Sequence, residues 1–257
     1  MSCPLAVTVS SSGGKSLLTQ ARAAAVRWQL PFFDRRRNAG LDVEFGAFAD
    51  AFLVLGGDGW TLRDSSVAVR FTPGMAALRI KRIVAGHPLD DHLVKLAELR
   101  AGDRVLDGTL GLGGDALVCA HVVGPSGRVI GVESSMPIYA LVSEGVKAQG
   151  YSLDVRHGDA REVLTTMAPA SVDVVVLDPM FDVPKKSSPM FELLRRFADH
   201  RPLDVETVIQ AKRVARRWVV VKGGRYTAEF ARLGLQPTFT SRYNSTVWAR
   251  LEPTRSG

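Results

Sequence analysis

The strongest constraint on the fold is a regular alternation of apolar strands with amphipathic helices from residue 90 onward. Apolar strands that alternate with helices predict an α/β fold with a mostly parallel, doubly wound sheet. In such a sheet, ligands bind beyond the carboxyl ends of the strands. We predict helices at 90–99, 114–123, 136–149, 160–167 and 203–216, and strands at 103–107, 128–133, 152–156, 172–177, 218–222, 236–240 and 245–251.

The first part of the chain has a different pattern and predicts a small N-terminal α/β unit over residues 1–72. An Ala-rich helix is expected at 15–29, with an apolar face formed by Leu18, Ala21, Ala25 and Trp28. Strands are expected at 5–9, 51–55, 60–63 and 67–71. A helix over 75–85 begins the second predicted domain, residues 73–257, and Gly86-His87-Pro88 ends that helix.

The composition argues against several classes of protein. No apolar stretch approaches the ~20 residues of a membrane-spanning helix, and the first residues lack the pattern of a signal peptide, so we expect a cytoplasmic protein. The two cysteines, Cys3 and Cys119, exclude a disulfide framework and an all-cysteine metal site, and we expect no bound metal. Cys119 lies in an apolar helical run, which predicts a buried structural thiol.

A glycine-rich loop follows the first strand of the alternating region. That strand ends in Asp107, and the loop contains the candidate cofactor-binding residues Thr109, Gly111, Gly113 and Asp115. Glycines permit a tight turn and a close approach of the backbone to a ligand. The next strand ends in Glu133, 22 positions after Gly111, where a carboxylate can accept both ribose hydroxyls of a nucleoside cofactor.

Two nucleoside cofactors are compatible with an acid at position 133. A nicotinamide dinucleotide requires a helix N-terminus that is open to its pyrophosphate. Asp107 and Asp115 surround the loop with negative charge, which favours a sulfonium and an α-amino group, and therefore S-adenosylmethionine. Asp159 follows the third strand, where it can bind an adenine amine or cap the helix 160–167; both roles are open.

The strand 172–177 ends in Asp178-Pro179-Met180-Phe181, which predicts chemistry on the exocyclic amine of a base. Such amines are poor nucleophiles because their lone pair is delocalised into the ring. Asp178 and the Pro179 carbonyl can accept hydrogen bonds from the amine, and Phe181 can stack on the base, which is worth about 1–3 kcal/mol. The alternative is an Asp-Pro turn that only ends a strand.

This tetrapeptide resembles the Asn/Asp-Pro-Pro-Tyr/Phe motif of amino-directed nucleic-acid methyltransferases, with Met180 in place of the second proline. Together with the glycine loop, Gly131-Val132-Glu133, His157-Gly158-Asp159 and Lys185-Lys186-Ser187, it is similar to the bacterial 16S ribosomal RNA guanine-N2 methyltransferase family over about residues 72–225. The resemblance implies a Rossmann-like class I methyltransferase fold, S-adenosylmethionine as cofactor, and methylation of a guanine 2-amino group in small-subunit rRNA.

The charge of the chain is compatible with an RNA partner. Lys and Arg number 33 against 26 Asp and Glu, and such a surplus attracts phosphate backbones. Lys185 and Lys186 are candidates for contact with RNA phosphates, and Lys222 and Arg242 are weaker ones. Three hypotheses stay open: a methyltransferase acting on RNA or on another amine, a nicotinamide-dependent oxidoreductase, and a non-catalytic RNA-binding protein.

Overall fold

The structure is a computed structural model that describes residues 4–35, 46–179, 189–224, 228–240 and 246–254, without the side chains of 189–191. Two β-sheets organise these residues. These residues form two compact units. The first comprises described residues within Met1–Thr72, Met136–Gly150 and Lys185–Phe197, and the second those within Pro73–Ser135, Tyr151–Pro184 and Ala198–Gly257. The division into domains at residues 72 and 73 stays a prediction.

The helices and strands follow the predicted order closely. The strands are β1 (Ala6–Val9), β2 (Phe52–Gly56), β3 (Gly59–Arg63), β4 (Ala68–Arg70), β5 (Arg104–Asp107), β6 (Arg128–Glu133), β7 (Asp154–His157), β8 (Val172–Leu177), β9 (Ala215–Gly224), β10 (Phe239–Thr240) and β11 (Thr246–Leu251). The helices are α1 (Lys15–Arg27), α2 (Gly74–Val84), α3 (His92–Ala97), α4 (Gly114–Val123), α5 (Met136–Ala148), α6 (Ala160–Thr166), α7 (Pro189–Phe197), α8 (Val205–Val214) and α9 (Glu229–Arg232), with a 3-10 turn at Pro88–Asp90.

The first unit contains a four-stranded sheet in the order β1-β2-β3-β4. β1 and β2 are parallel and are connected by α1, and the remaining pairs are antiparallel. The predicted apolar face of α1 is confirmed, because Leu18, Ala21, Ala25 and Trp28 are all buried. The α5 helix packs against β3, and Glu144 on α5 forms an ion pair with Arg27 at 2.7 Å.

The second unit contains a seven-stranded sheet in the order β10-β11-β9-β8-β5-β6-β7. The strands from β9 to β7 pair in parallel, and β11 is antiparallel to β9. The predicted mostly parallel, doubly wound sheet is therefore confirmed. The chain adds β6 and β7 on one side of β5 and then crosses to β8 on the other, so the topological switch point lies between β5 and β8. Ligands are expected at this point.

The central strands have apolar buried segments because helices pack against the sheet. Val174, Val175, Val176 and Leu177 of β8 have no exposed surface. Cys119 on α4 is buried, as predicted. In the part of the chain that the structure describes, none of the helices combines the length and apolar character needed to cross a membrane.

Some local predictions differ in extent from the structure, including the strand predicted at 236–240, which is only Phe239–Thr240. The helix predicted at 90–99 is a 3-10 turn followed by the short α3, since Asp91 caps a new helix by accepting from the Val94 N–H. The strand predicted at 218–222 extends over Ala215–Gly224, because it pairs with β8 on one side and β11 on the other. The helices α7 and α9 were not predicted.

Candidate active site

The candidate site lies at the carboxyl ends of the central strands of the second unit. Asp107 ends β5, Glu133 ends β6, Asp178 follows β8, and Lys222 lies near the end of β9. Since these strands are parallel and adjacent, their carboxyl ends meet at one edge of the sheet. The sheet topology therefore brings the acids predicted from separate strands to a common edge.

The loop after β5 takes a conformation that favours glycine. Gly111 and Gly113 have φ values of +52° and +77°, in the left-handed region where a side chain is strained. Gly113 is the N-cap residue of α4. At Gly108 the reason is packing, because a Cβ atom would lie 2.8 Å from Cδ2 of Leu177 on β8. The loop can thus turn tightly between the sheet and α4.

Glu133 is fixed by the backbone around it. Its carboxylate accepts hydrogen bonds from the N–H groups of Gly111 and Ser135, each at 2.8 Å, and the residue is 7% exposed. Burial raises the pKa of Glu133, and the two N–H donors oppose that shift. The side chain is held against the glycine loop, at the position where the sequence predicts an acceptor for ribose hydroxyls.

Asp107 is a buried acid that no cation contacts among the described residues. It accepts a hydrogen bond from the Thr109 N–H at 3.1 Å and is 2% exposed. Burial, reinforced by the negative charges of Asp115 and Asp178, raises the pKa of Asp107 to about 8. A group with positive charge that approaches Asp107 would stabilise the ionised carboxylate.

An alternating chain of charges runs beside Asp107. Arg79 on α2 donates two hydrogen bonds to Asp91, at 2.7 and 3.1 Å, and one to Asp115 Oδ1 at 2.5 Å. Lys222 Nζ lies 3.3 Å from Asp115 Oδ2 and 2.5 Å from Asp178 Oδ2. This chain of charges therefore contains three carboxylates and two cations, and Asp107 adds a further acid that no cation within the described ranges contacts.

Asp178 is joined to the glycine loop through its backbone. Its N–H donates to the Thr109 hydroxyl at 2.5 Å. Its Oδ2 accepts from Lys222, whereas its Oδ1 has no hydrogen-bond partner among the described residues, and the side chain is 33% exposed. Burial and the neighbouring Asp115 raise the pKa of Asp178, and Lys222 acts in the opposite direction.

Asp159 forms more interactions than the sequence indicates: a helix cap and two ion pairs. Its carboxylate caps α6 by accepting from the Arg161 N–H, which is one of the two roles left open. It also pairs with the Arg161 side chain at 3.3 Å and with Arg201 at 2.8 Å. The role in binding an adenine amine stays a prediction.

Several predicted site residues fall beyond the described ranges, and several site residues were missed. Met180, Phe181, Lys185, Lys186 and Arg242 lie outside the described residues.

Arg79 and Asp91 were not predicted as site residues. Lys222 was considered only for RNA phosphates, yet its ammonium contacts two carboxylates of the site. The available signal was the single lysine that follows the apolar run at 218–221, at the end of a predicted strand.

The residues of the edge fit S-adenosylmethionine. The surplus of buried acid around Asp107 suits a ligand with a sulfonium and an ammonium group, and the fixed Glu133 suits the hydroxyls of a ribose. Within the described ranges, no group of three or more His, Cys, Asp and Glu residues could hold a metal ion.

The sheet order, the glycine loop and the acid after β6 together define a Rossmann-like fold with a site for a nucleoside cofactor. A family model described as "Putative SAM-dependent methyltransferase" matches residues 58–244 of the chain. The chain belongs to this family, and its cofactor is S-adenosylmethionine. Membership of the family decides between the two cofactors that the sequence left open and sets the nicotinamide-dependent oxidoreductase aside.

Individual relatives support the predicted resemblance. The chain is 30% identical over 239 residues to protein YpiP of Bacillus subtilis (strain 168), covering 89% of this chain and 92% of YpiP. It is 29% identical over 236 residues to ribosomal RNA small subunit methyltransferase J of Pseudoalteromonas atlantica, covering 84% of this chain and 87% of that protein. The resemblance to the small-subunit rRNA methyltransferase family is therefore confirmed.

The fold has a close counterpart among solved structures. The crystal structure of the SAM-dependent methyltransferase NGO1261 from Neisseria gonorrhoeae matches with a TM-score of 0.63 at 20% sequence identity. The match covers 98% of this chain and 97% of that one. This similarity confirms the predicted Rossmann-like methyltransferase fold.

Proposed function

We propose that this methyltransferase modifies the exocyclic N2 amine of a guanine in small-subunit rRNA. One observation carries the proposal: the Asp178 carboxylate is held by Lys222 through Oδ2, while its Oδ1 has no partner among the described residues and the side chain is partly exposed. A fixed carboxylate with one available oxygen can accept a hydrogen bond from an amine and orient it for attack.

Different residues of the site bind the cofactor and orient the target base. S-adenosylmethionine, when bound, supplies a methyl group made electrophilic by the sulfonium. Glu133 binds the ribose hydroxyls, and the acids Asp107 and Asp115 with Thr109, Gly111 and Gly113 form the side of the site for the cationic groups. We assign Asp159 to the adenine amine. For the target base, we assign Asp178 and the Pro179 carbonyl to accept hydrogen bonds from the amine and the ring of Phe181 to stack on the base.

The RNA substrate is supported by similarity and by charge. Several relatives at about 30% identity are named ribosomal RNA small subunit methyltransferase J, including those of Pseudoalteromonas atlantica and Shewanella sp. (strain ANA-3). The net charge of +7 favours association with a polyanion. We assign Lys185 and Lys186, just after the Asp-Pro motif, to contacts with RNA phosphates.

The test is transfer of tritium from methyl-labelled S-adenosylmethionine to rRNA and to 30S subunits purified from cells that lack this protein. Mass spectrometry of the nucleosides should then show N2-methylguanosine. The Asp178→Ala variant should lose transfer but keep its affinity for S-adenosylhomocysteine within about threefold. The matched control is Asp90→Ala, because that carboxylate is exposed on the 3-10 turn.

Three results would overturn the proposal. Label in a different nucleoside, or in no RNA at all, would contradict the guanine-N2 assignment. Tight, salt-sensitive RNA binding without any transfer would instead support the non-catalytic RNA-binding hypothesis. Full activity of Asp178→Ala would contradict the role of the carboxylate.

A further inference from the structure

Lys222 is a charged residue at the centre of the site for which the resemblance implies no role. It lies near the end of β9, in register with Trp248 on β11. Its Nζ is 2.5 Å from Asp178 Oδ2 and 3.3 Å from Asp115 Oδ2, and it lies 5.4 Å from the centroid of the Trp248 ring. The ammonium is thus directed at two carboxylates and an aromatic ring of the same unit.

These contacts hold the Lys222 ammonium inside the site through hydrogen bonds and an aromatic ring. An ammonium has three N–H donors, and two of them are taken by carboxylates. A ring centroid within about 6 Å stabilises the remaining positive charge. Burial lowers the pKa of Lys222, but Asp178 and Asp115 outweigh that effect and raise it, so the group stays charged. This geometry differs from that of a lysine extended into solvent to meet RNA phosphates.

The surroundings of Asp178 show why a cation is needed there. The charged groups that face it are Lys222 from β9, Asp115 and Arg79 from α4 and α2, and Asp107 from β5. Two of these are acids. Arg79 is already bound to Asp91 and Asp115, so Lys222 is the cation in direct contact with Asp178 among the described residues.

We propose that Lys222 is a positioning residue for methyl transfer: by binding Asp178 Oδ2 it keeps this carboxylate ionised and leaves Oδ1 to accept the target amine. This inference rests on the proposed function, since it assigns Asp178 to the amine. Lys222 acts through Asp178 and contacts neither the base nor the phosphates of the substrate.

Removal of the Lys222 ammonium should change the pKa of Asp178 in a direction that can be measured. Burial and Asp115 raise the pKa of Asp178, and Lys222 lowers it. Without Lys222, the pKa of Asp178 rises further, and the ionised fraction at neutral pH falls. An opposite charge within about 4–6 Å shifts a carboxyl pKa by about 1–3 units. The acidic limb of the activity profile should therefore move to higher pH by about one unit or more.

The experiment compares Lys222→Met, Lys222→Arg and the wild type over pH 5.5 to 9.5. Lys222→Met should lower kcat at pH 7 by about tenfold or more, with recovery at high pH, and Lys222→Arg should keep the wild-type limb. The control is Lys81→Met, the same substitution at an exposed lysine on α2, which should leave the profile unchanged.

A second measurement does not depend on activity. The Asp178 carboxyl is titrated by carbon-detected NMR in wild type, Lys222→Met and Lys222→Arg, with assignment by Asp178→Asn. We expect a higher midpoint in Lys222→Met than in wild type. Lys222→Arg should keep the wild-type midpoint, because a guanidinium preserves the charge. If Lys222→Met does not fold, Lys222→Gln is titrated in its place, and a wild-type midpoint in that variant overturns the proposal.

The outcomes separate this inference from the proposed function. An unchanged Asp178 midpoint in a folded Lys222→Met variant overturns the inference, as does loss of activity at every pH without a shift of the limb. A higher midpoint in Lys222→Met, together with a wild-type protein that methylates no RNA, overturns the proposed function and leaves the ion pair established.

Discussion

The backbone N–H of Asp178 donates to the hydroxyl of Thr109 across 2.5 Å, and this bond joins the loop after β8 to the glycine loop after β5. The two residues are 69 positions apart in the sequence. Thr109 also donates its own N–H to Asp107. The cofactor loop and the residue proposed to orient the target amine are therefore parts of one hydrogen-bonded unit, and a change in either should affect the other.

The first prediction concerns the Thr109 hydroxyl. Thr109→Val keeps the shape of the side chain but removes the acceptor, so the Asp178 N–H loses its partner, at a cost of about 1–3 kcal/mol. We expect kcat to fall about tenfold or more, while the KM for S-adenosylmethionine changes less. Steady-state kinetics check this, with Thr109→Ser as the control that keeps the hydroxyl. Equal losses in the serine and valine variants would argue against the bond.

The second prediction concerns the pH dependence that Asp107 confers. Its pKa in the folded protein, about 8, lies above the ordinary value of about 3.9. The folded state thus binds a proton more tightly than the unfolded state, and this contribution to stability is lost as pH rises towards 8. Asp107→Asn cannot titrate. Wild type should lose more stability than Asp107→Asn between pH 6 and 9 in thermal denaturation without cofactor; parallel curves would contradict the assignment.

The third prediction concerns proton release when the cofactor binds. A ligand with positive charge favours the ionised form of Asp107, so binding near neutral pH should expel a proton. We expect the affinity of wild type for S-adenosylmethionine to increase from pH 6.5 to 8.5. Calorimetry in buffers of different ionisation enthalpy measures the released proton directly. Asp107→Asn should bind more weakly and release fewer protons, and proton release equal to wild type would contradict the role of Asp107.

The fourth prediction concerns Glu133. In Glu133→Gln one acceptor oxygen becomes an NH₂ group, which cannot accept from the N–H of Gly111 or Ser135. We expect the affinity for S-adenosylhomocysteine to fall about tenfold or more, measured by calorimetry. Glu252→Gln, an exposed position, is the matched control. Wild-type affinity in Glu133→Gln would mean that the carboxylate does not bind the ribose.

The fifth prediction concerns RNA contacts. The Lys185→Ala and Lys186→Ala double variant should bind rRNA more weakly and with a shallower salt dependence, by about 0.7 to 0.9 in slope for each lost phosphate contact. Its affinity for S-adenosylhomocysteine should not change. The control is the exposed adjacent pair on α2, Lys81→Ala with Arg82→Ala. An RNA affinity that falls equally in both double variants would indicate general charge rather than a specific contact.

Local sequence patterns were sufficient for the framework of the fold. The strands β6 and β8 occur at their predicted bounds, and α4 does as well. Each contains a largely apolar run bounded by glycine or a charged residue, so neighbouring residues specify it. The α7 helix was missed although Pro189–Phe197 is amphipathic, with Leu193 and Leu194 buried. The α9 helix has only 4 residues, little more than one turn, which is too short for a periodic pattern.

The sequence by itself determined the order of strands and helices along the chain, the glycine loop and the acids that follow the strands. These features depend on residues close in the chain and on the general rule that parallel strands present their carboxyl ends together. Only the tertiary structure decided which charges meet: Lys222 reaches Asp178 and Asp115, and Arg201 reaches Asp159. Such pairs join residues dozens of positions apart, and the distance between them is set by strand order and packing, which no local pattern specifies.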